Sequence, residues 1–336
     1  MDIYSLIRAN RRRLYALFGV FTLLVMGLSA GGVYILRRFL SVTIDFWFTL
    51  LLLWLLYFLY AVIRFALGGS WIFRRVAALP PEKADRRLEN ALHAALLGAG
   101  MRERVLLLEV PHPDINSFSL ALPDGSYAVF ATRGVAEKLP KREREAVLAH
   151  ELAHIATGDT ALQSVLLRLA GPGKSLARPN RWLALGRQSN IPTASILALS
   201  VLALLVASIR AREPFPTPLY LLSLLLLFAA LASLLPFLLL KLMRLFLNRE
   251  REHYADLHAA YTLRDPEAVY LAVKHASEDV RDLLLLPSNL DAVLFHPVVD
   301  YTSYRPFQTQ PTMVERMRRL DENFPGLRLG EGGGAC

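Results

Sequence analysis

The chain has 336 residues, of which 54% are hydrophobic and 20% charged, so it is long enough for one or two domains but too apolar for an ordinary soluble protein. Its net charge is +9, yet it carries no nucleic-acid-binding motif. Basic residues that face anionic lipid headgroups explain the charge more simply. The single cysteine, Cys336, excludes a disulfide framework and is typical of a reducing compartment.

The apolar residues are concentrated in four runs that contain no charged residue: 14–36, 46–63, 191–209 and 219–240. Each is close to the roughly 20 residues that a helix needs to cross about 30 Å of hydrocarbon. The sequence therefore predicts four transmembrane helices in two pairs. Buried helices of a large soluble core are the alternative, and the second pair can also form a shallow hairpin. The first run exceeds the core of a signal peptide, so we expect an uncleaved anchor.

Lysines and arginines are unevenly distributed between the two sides of these four apolar runs. They precede the first run, follow the second and follow the fourth, whereas each short connection within a pair carries only two arginines. Because positive charges stay on the cytoplasmic side, the N-terminus, region 68–190 and the C-terminal region are expected in the cytoplasm. We expect two membrane pairs (1–67 and 191–247), a catalytic domain in two parts (68–190 and 248–328) and a disordered tail (329–336).

The polar regions contain weaker signals for helices and strands. Strands are predicted at 105–110, 115–122 and 127–132, with a Pro-Asp-Gly turn before the last. Helices are predicted at 80–100, from 140 to about 169, from 240 to about 263, from 265 onward and at 312–320. This pattern favours a small β-sheet or hairpin combined with helices.

The strongest motif is His150-Glu151-Leu152-Ala153-His154. Four-residue spacing on a helix places both imidazoles on one face, one turn apart, so that they can hold one zinc ion. Glu151 lies beside that ion without binding it, which is where a general base must lie to take a proton from the water that zinc activates. The sequence therefore predicts a catalytic helix.

A catalytic zinc ion needs a third protein ligand and an open position. The segment 248–256 offers candidates, because Glu252 and Asp256 share one helix face. Glu252 can bind the ion while Asp256 orients a ligand histidine, His150 in our prediction, through its other ring nitrogen. Glu250 and His253 are rival ligands, and a solvated run of charges is the alternative to any site.

These motifs resemble the HtpX-type membrane zinc metalloproteases, which are related to the CAAX prenyl endopeptidases. In that family the His-Glu-x-x-His helix follows two spans, and an Arg-Glu-aromatic-x-Ala-Asp segment after further spans supplies the third ligand. Residues 251–256 match it, with His253 at the aromatic place, so the resemblance selects Glu252 over Glu250. Residues 116–118 are similar to the family's Asn-Ala-Phe strand, which implies that Asn116 lies beside the cleft and pairs with substrate.

One position departs from the family. A Thr-His-Pro sequence often precedes its Glu-Arg helix, whereas this chain has Gln310 between Thr309 and Pro311. If that histidine organises the site or stabilises an oxyanion, the role is weakened or passes to another residue. The candidates are His296, Tyr301, Tyr304 and Arg305.

The resemblance implies a mainly α integral membrane protein with a cytoplasmic α+β zincin-like (gluzincin) catalytic domain. It implies one Zn²⁺ per chain in a metalloendopeptidase that hydrolyses misfolded or damaged membrane proteins at the cytoplasmic face of a bacterial or archaeal inner membrane. Glu252 lies 12 residues past residue 240, or about 18 Å along a helix, which places the site near the bilayer surface. The expected partners are the lipid bilayer and protein substrates, without nucleic acid. A specific prenyl-protein type of processing peptidase and a non-catalytic zinc-binding scaffold are the alternatives.

Overall fold

In the computed structural model of the protein, the described residues are 3–40, 45–67, 81–170, 225–226, 228–229, 250–279, 290, 293–297 and 310–325. The helices among them are α1 (Ile3–Leu40), α2 (Phe46–Leu67), α3 (Arg86–Ala99), α4 (Arg133–Lys138), α5 (Lys141–Thr157), α6 (Asp159–Ala170), α7 (Glu250–Leu263), α8 (Pro266–Glu278) and α9 (Met313–Asn323). The strands are β1 (Glu82–Lys83), β2 (Val105–Val110), β3 (Ser117–Ala121) and β4 (Tyr127–Thr132).

Helices α1 and α2 contain the first two apolar runs. Within the described residues, the segments Tyr15–Tyr34 and Phe46–Leu67 are long and apolar enough to cross a membrane. Side chains such as Leu23 and Phe58 are exposed on them, as lipid-facing residues would be. The third and fourth runs lie outside the described residues, except that 225–226 and 228–229 are helical. The linker 171–190, the tail 329–336 and the tyrosines and arginine at 301, 304 and 305 also lie outside them.

The four strands form one mixed sheet in the order β1-β2-β4-β3. β2 and β4 are parallel, while β1 pairs antiparallel with β2 and β3 pairs antiparallel with β4. Strand β3 therefore lies at an edge, where Ser117 is opposite Ala131 of β4. The predicted small sheet is confirmed, and β2 and β4 have the predicted bounds.

The sheet separates two apolar cores. One face contributes Val129 and Ala131 to a cluster that includes residues of α3, α5, α7 and α8. The other face contributes Phe118 and Phe130, whose rings stack at 4.6 Å, to a cluster that includes Leu17 of α1 and residues of α6. Burying each phenylalanine contributes about 1.5–3 kcal/mol. Helix α1 thus contributes Leu17 to the core that lies on this face of the sheet, and it contacts α5 and α6.

Two predicted helices have different bounds in the structure. Helix α3 begins at Arg86 rather than near residue 80, because residues 82–83 pair with β2 and the Asp85 side chain accepts a hydrogen bond from Arg87 N. The helix predicted to run from 140 to about 169 is two helices. Gly158 ends α5 with a φ of 78°, a left-handed conformation that glycine adopts without strain, and α6 begins at Asp159.

The other predicted helices agree with the structure where it describes them. Helix α7 ends at Leu263, and α8 follows at Pro266 after Asp265 caps it through Ala268 N. Helix α9 begins after Thr312, whose side chain accepts a hydrogen bond from Glu315 N. Helices α5 and α7 pack against each other, which brings together the two motif-bearing segments that are distant in the sequence.

Candidate active site

Three side chains from two packed helices meet at one point. Helix α5 presents His150 and His154 on one face, and α7 presents Glu252. The two Nε2 atoms are 3.1 Å apart and lie 3.4 Å and 3.6 Å from Oε2 of Glu252. Among the described residues this is the group of His, Cys, Asp and Glu side chains whose donor atoms converge closely enough for one metal ion, all within 4.8 Å.

Carboxylates behind both histidines orient their rings. Nδ1 of His150 lies 2.8 Å from Oδ1 of Asp256, and Nδ1 of His154 lies 3.3 Å from Oδ2 of Asp159. Each carboxylate fixes the tautomer that leaves Nε2 free to bind a metal ion. Two imidazole nitrogens and one carboxylate oxygen are a donor set typical of catalytic zinc. Asp159 was not predicted as a partner of His154, and the turn at Gly158 brings it back to that histidine.

The electrostatic environment favours a positive charge where these donors meet. Burial lowers the pKa of His154, but the charges of Glu252 and Asp159 outweigh it and raise that pKa to about 10. Burial likewise opposes the ionisation of Glu252, yet His154 and Arg251 hold its pKa well below the usual value. A site that stabilises a buried cation so strongly fits a divalent metal ion.

A buried arginine supports the carboxylate behind His150. Arg316 of α9 donates to both carboxylate oxygens of Asp256, at 2.6 and 2.7 Å, and its third nitrogen donates to the carbonyl oxygen of Phe295 at 2.6 Å. Burial raises the pKa of Asp256, but the charge of Arg316 reverses this and lowers it to about 2. Asp256 is therefore a permanent anion behind His150. No contact of Arg316 with the site was predicted from the sequence.

Glu151 follows His150 on α5 and is equally buried, with both side chains 1% exposed. Its Oε1 accepts a hydrogen bond of 2.7 Å from the hydroxyl group of Ser117, the first residue of β3. The predicted base thus lies between the donor cluster and the edge strand.

Asn116, predicted to bind substrate, makes its side-chain contacts with the chain itself. Its Nδ2 donates to the carbonyl oxygen of His296 at 2.7 Å, and its Oδ1 accepts from the backbone N–H of His296 at 3.1 Å. The N–H of Phe295 donates to the carbonyl oxygen of Ser117 at 2.8 Å. The segment 293–297 therefore lies along the start of β3, and the substrate-binding role of Asn116 stays a prediction.

Gln310 and the rival ligands lie outside the donor cluster. Nε2 of Gln310 donates to the carbonyl oxygen of Leu294 at 2.8 Å, so this side chain also holds the segment 293–297. Glu250 lies 3.5 Å from Arg319, and Nε2 of His253 lies 4.0 Å from Glu315. The structure thus brings Glu252 to the histidines, and neither Glu250 nor His253 joins the convergent set.

A His-His-Glu set on two packed helices, with a glutamate next to the first histidine, is typical of metallopeptidases of the zincin class. The model of Peptidase family M48 matches residues 82–323, and the chain belongs to that family.

Curated relatives named Protease HtpX homolog are similar along much of the chain. The relative from Ligilactobacillus salivarius is 26% identical over 235 residues, covering 68% of this chain and 69% of the relative. That from Dictyoglomus thermophilum is 27% identical over 248 residues, covering 72% and 70%. That from Tropheryma whipplei is 25% identical over 325 residues, covering 95% and 98%. Among solved structures, the crystal structure of S. mikatae Ste24p matches 92% of this chain and 66% of its own length, with 16% identity and a TM-score of 0.41, a likeness too slight to support further comparison.

Family membership confirms the resemblance inferred from the sequence. Together with the two apolar helices, it identifies a membrane zinc metalloprotease that hydrolyses peptide bonds. Family membership thus favours a peptidase over the alternative of a non-catalytic zinc-binding scaffold. The membrane setting and peptide substrates follow from the family, and the identity of the metal ligands follows from no comparison.

Proposed function

We propose that the chain holds one zinc ion through His150, His154 and Glu252. The observation that carries this proposal is the convergence of their three donor atoms, within 4.8 Å of one another, from helices α5 and α7. Asp256 and Asp159 support it by holding the far nitrogens of the two rings. When bound, zinc supplies Lewis acidity, which polarises a scissile carbonyl group and makes a water acidic enough to ionise near neutral pH.

Glu151 is the general base of this proposal. It takes a proton from the attacking water and later gives it to the leaving amine. Its position next to His150 on α5 keeps its carboxylate beside the donor cluster, and its burial excludes bulk water that would compete for the proton.

The proposed substrates are misfolded or damaged membrane proteins, cleaved at the cytoplasmic face. A peptide would lie extended beside β3 near Asn116 and form main-chain hydrogen bonds, which tolerate many sequences. These bonds would reach the strand beyond Ser117, because the carbonyl oxygen of Ser117 already accepts from Phe295 N. The packing of Leu17 of α1 in the same core as Phe118 and Leu120 of β3 supports a site close to the membrane. Loops and tails of membrane proteins are the peptides best placed to reach it.

A comparison of wild type with Glu151→Gln in detergent tests the catalytic proposal. Zinc content is measured by elemental analysis, and cleavage is measured on an unfolded soluble protein. We expect both proteins to bind one zinc ion per chain and only wild type to cleave. Equal cleavage by the two zinc-loaded proteins would exclude Glu151 as the base.

The substrate and orientation proposals need separate measurements. In proteoliposomes, a destabilised membrane protein should be cleaved faster than its stable parent, and equal rates would contradict the proposed preference for misfolded or damaged proteins.

Cys336 is the only cysteine, so a membrane-impermeant thiol reagent reports the side of the membrane on which the C-terminus lies. In intact cells Cys336 should react only after the membrane is opened, and immediate labelling would contradict a cytoplasmic site.

A further inference from the structure

We propose that Ser117 is a positioning residue for the carboxylate of Glu151. Its hydroxyl group donates to Oε1 of Glu151 at 2.7 Å, and both side chains are 1% exposed. A hydrogen bond to a buried carboxylate is stronger than one between neutral groups, because one partner is charged and water does not compete. The inference rests on the proposed role of Glu151 as the base.

The backbone of Ser117 is fixed on both sides of its hydroxyl group. Its N–H donates to Oδ1 of Asn116 at 3.0 Å, its carbonyl oxygen accepts from Phe295 N at 2.8 Å, and its Cα is in register with Ala131 of β4. The hydroxyl group therefore starts from a rigid point on the sheet. It can therefore fix the rotamer of the Glu151 side chain, which the backbone of α5 alone does not determine.

The hydrogen bond distinguishes the two oxygens of the carboxylate. Ser117 binds Oε1, and among the described residues no hydrogen bond reaches Oε2 of Glu151. Oε2 is therefore the atom left to exchange a proton with water and the leaving amine. Holding the other oxygen selects one orientation of the carboxylate before substrate arrives, which raises the rate of proton transfer without adding a contact to substrate.

Ser119 provides a matched control on the same strand. It lies two residues further on, so its side chain is on the same face of β3 as that of Ser117, and it is 2% exposed. Its hydroxyl group pairs with the hydroxyl group of Thr160 at 2.9 Å instead of with Glu151. Ser117→Ala and Ser119→Ala therefore remove the same group at the same depth, and only the first removes a contact with the base.

The experiment measures kcat, KM and zinc content of the full-length protein in detergent for wild type, Ser117→Ala, Ser117→Thr, Ser119→Ala and Glu151→Gln. Ser117→Ala should lower kcat about tenfold, the effect of one hydrogen bond to a charged group, while KM and zinc content stay within about twofold. Ser117→Thr keeps the hydroxyl group and should recover most of kcat. Ser119→Ala should keep the kcat of wild type.

The outcomes separate this inference from the proposed function. If Glu151→Gln cleaves like wild type, Glu151 is not the base and the proposed function fails. If Glu151→Gln is inactive but Ser117→Ala keeps the kcat of Ser119→Ala, the positioning role alone is overturned. A fall in zinc content, or an equal loss in Ser117→Thr and Ser117→Ala at unchanged thermal stability, would also overturn it.

Discussion

The two ends of helix α5 are joined to the second part of the catalytic domain by different kinds of charge pair. At its N-terminal end, Arg142 is 60% exposed and bonds to Asp265 and Glu267 at 2.7 and 3.0 Å. Towards its C-terminal end, in the second half of the helix, His150 bonds to Asp256, which Arg316 binds in turn, and all three side chains are at most 2% exposed. One helix thus carries an exposed and a buried network.

The exposed and the buried network contribute differently to the free energy of unfolding and to the chemistry of the site. Water and salt compete with the exposed pairs, so their contribution to the free energy of unfolding is small. The buried charges lose their hydration, and apolar side chains of similar volume would often be at least as stable. In the proposed zinc site, their presence beside His150 orients the ring nitrogen that would bind the metal ion. Removing one partner from this buried network should therefore affect metal binding and stability together.

The largest expected effect comes from Glu252, the predicted third ligand. Glu252→Ala should weaken zinc binding by about 100-fold or more, because the loss of a mere outer partner already weakens metal binding about 10–100-fold. Glu250→Ala is the matched control, since Glu250 lies two residues earlier on α7 and faces Arg319. Competition with a coloured zinc chelator measures both affinities. Normal zinc binding by Glu252→Ala, or equal losses in the two variants, would show that the ligand is assigned wrongly.

A smaller effect is expected at Arg316, which touches Asp256 but no metal-binding atom. Arg316→Met keeps much of the apolar volume yet leaves the Asp256 carboxylate buried without its cation, which costs about 3–5 kcal/mol of stability. Zinc binding should weaken about 10–100-fold, because His150 loses its fixed orientation.

The control for Arg316 is Arg318→Met, since Arg318 lies on the same helix and pairs with Glu322 in an exposed position. Thermal unfolding in detergent and zinc competition should leave Arg318→Met close to wild type. A variant Arg316→Met more stable than wild type would mean that the buried network can be exchanged for apolar contacts, and the contrast between the two ends of α5 would then disappear.

The fold was predictable from the sequence wherever a signal is local. The bounds of β2 and β4 follow from short apolar runs with turn residues, and Asp265 before Pro266 marks the start of α8. The break at Gly158 was missed, although the polar residues 157–160 interrupt the apolar pattern there and a glycine commonly ends a helix in the left-handed conformation that Gly158 adopts. Strand β1 was missed because two residues become a strand only by pairing with β2.

The same division holds for the candidate site. The spacing of His150 and His154 is a property of one helix turn, so the sequence alone places both side chains on one face. Glu252 was selected only with the help of the family resemblance, because the sequence leaves open how α5 and α7 pack. Ser117 and Arg316 reach the site through tertiary packing, and Asp159 reaches it through a tight turn. The spacing of these residues in the sequence does not predict the contacts.

The smallest expected effect belongs to the exposed end of α5. Asp265 accepts a hydrogen bond from Ala268 N at 3.0 Å, which caps α8, and it also binds Arg142. The hydrogen bond from Arg142 lowers the pKa of Asp265. Because the folded pKa lies below the unfolded value of about 3.9, this stabilisation is fully present above about pH 4 and is lost as the pH falls through the folded pKa.

Two variants separate the cap from the charge at this end. Asp265→Ala removes both and should destabilise α8 by about 1 kcal/mol, whereas Asp265→Asn keeps a capping oxygen and should lose only the charged contribution. Hydrogen exchange of the first turn of α8 in chelator-treated protein measures the difference between each variant and wild type at the same pH. The Asn variant and wild type should converge once Asp265 is protonated, while the Ala variant stays less protected. If the amides of Asp265→Asn exchange as fast as those of Asp265→Ala at pH 7, the charge of Asp265 rather than its capping hydrogen bond stabilises the first turn of α8. Charge would then contribute to stability in both networks of α5, and the two networks would differ only in burial.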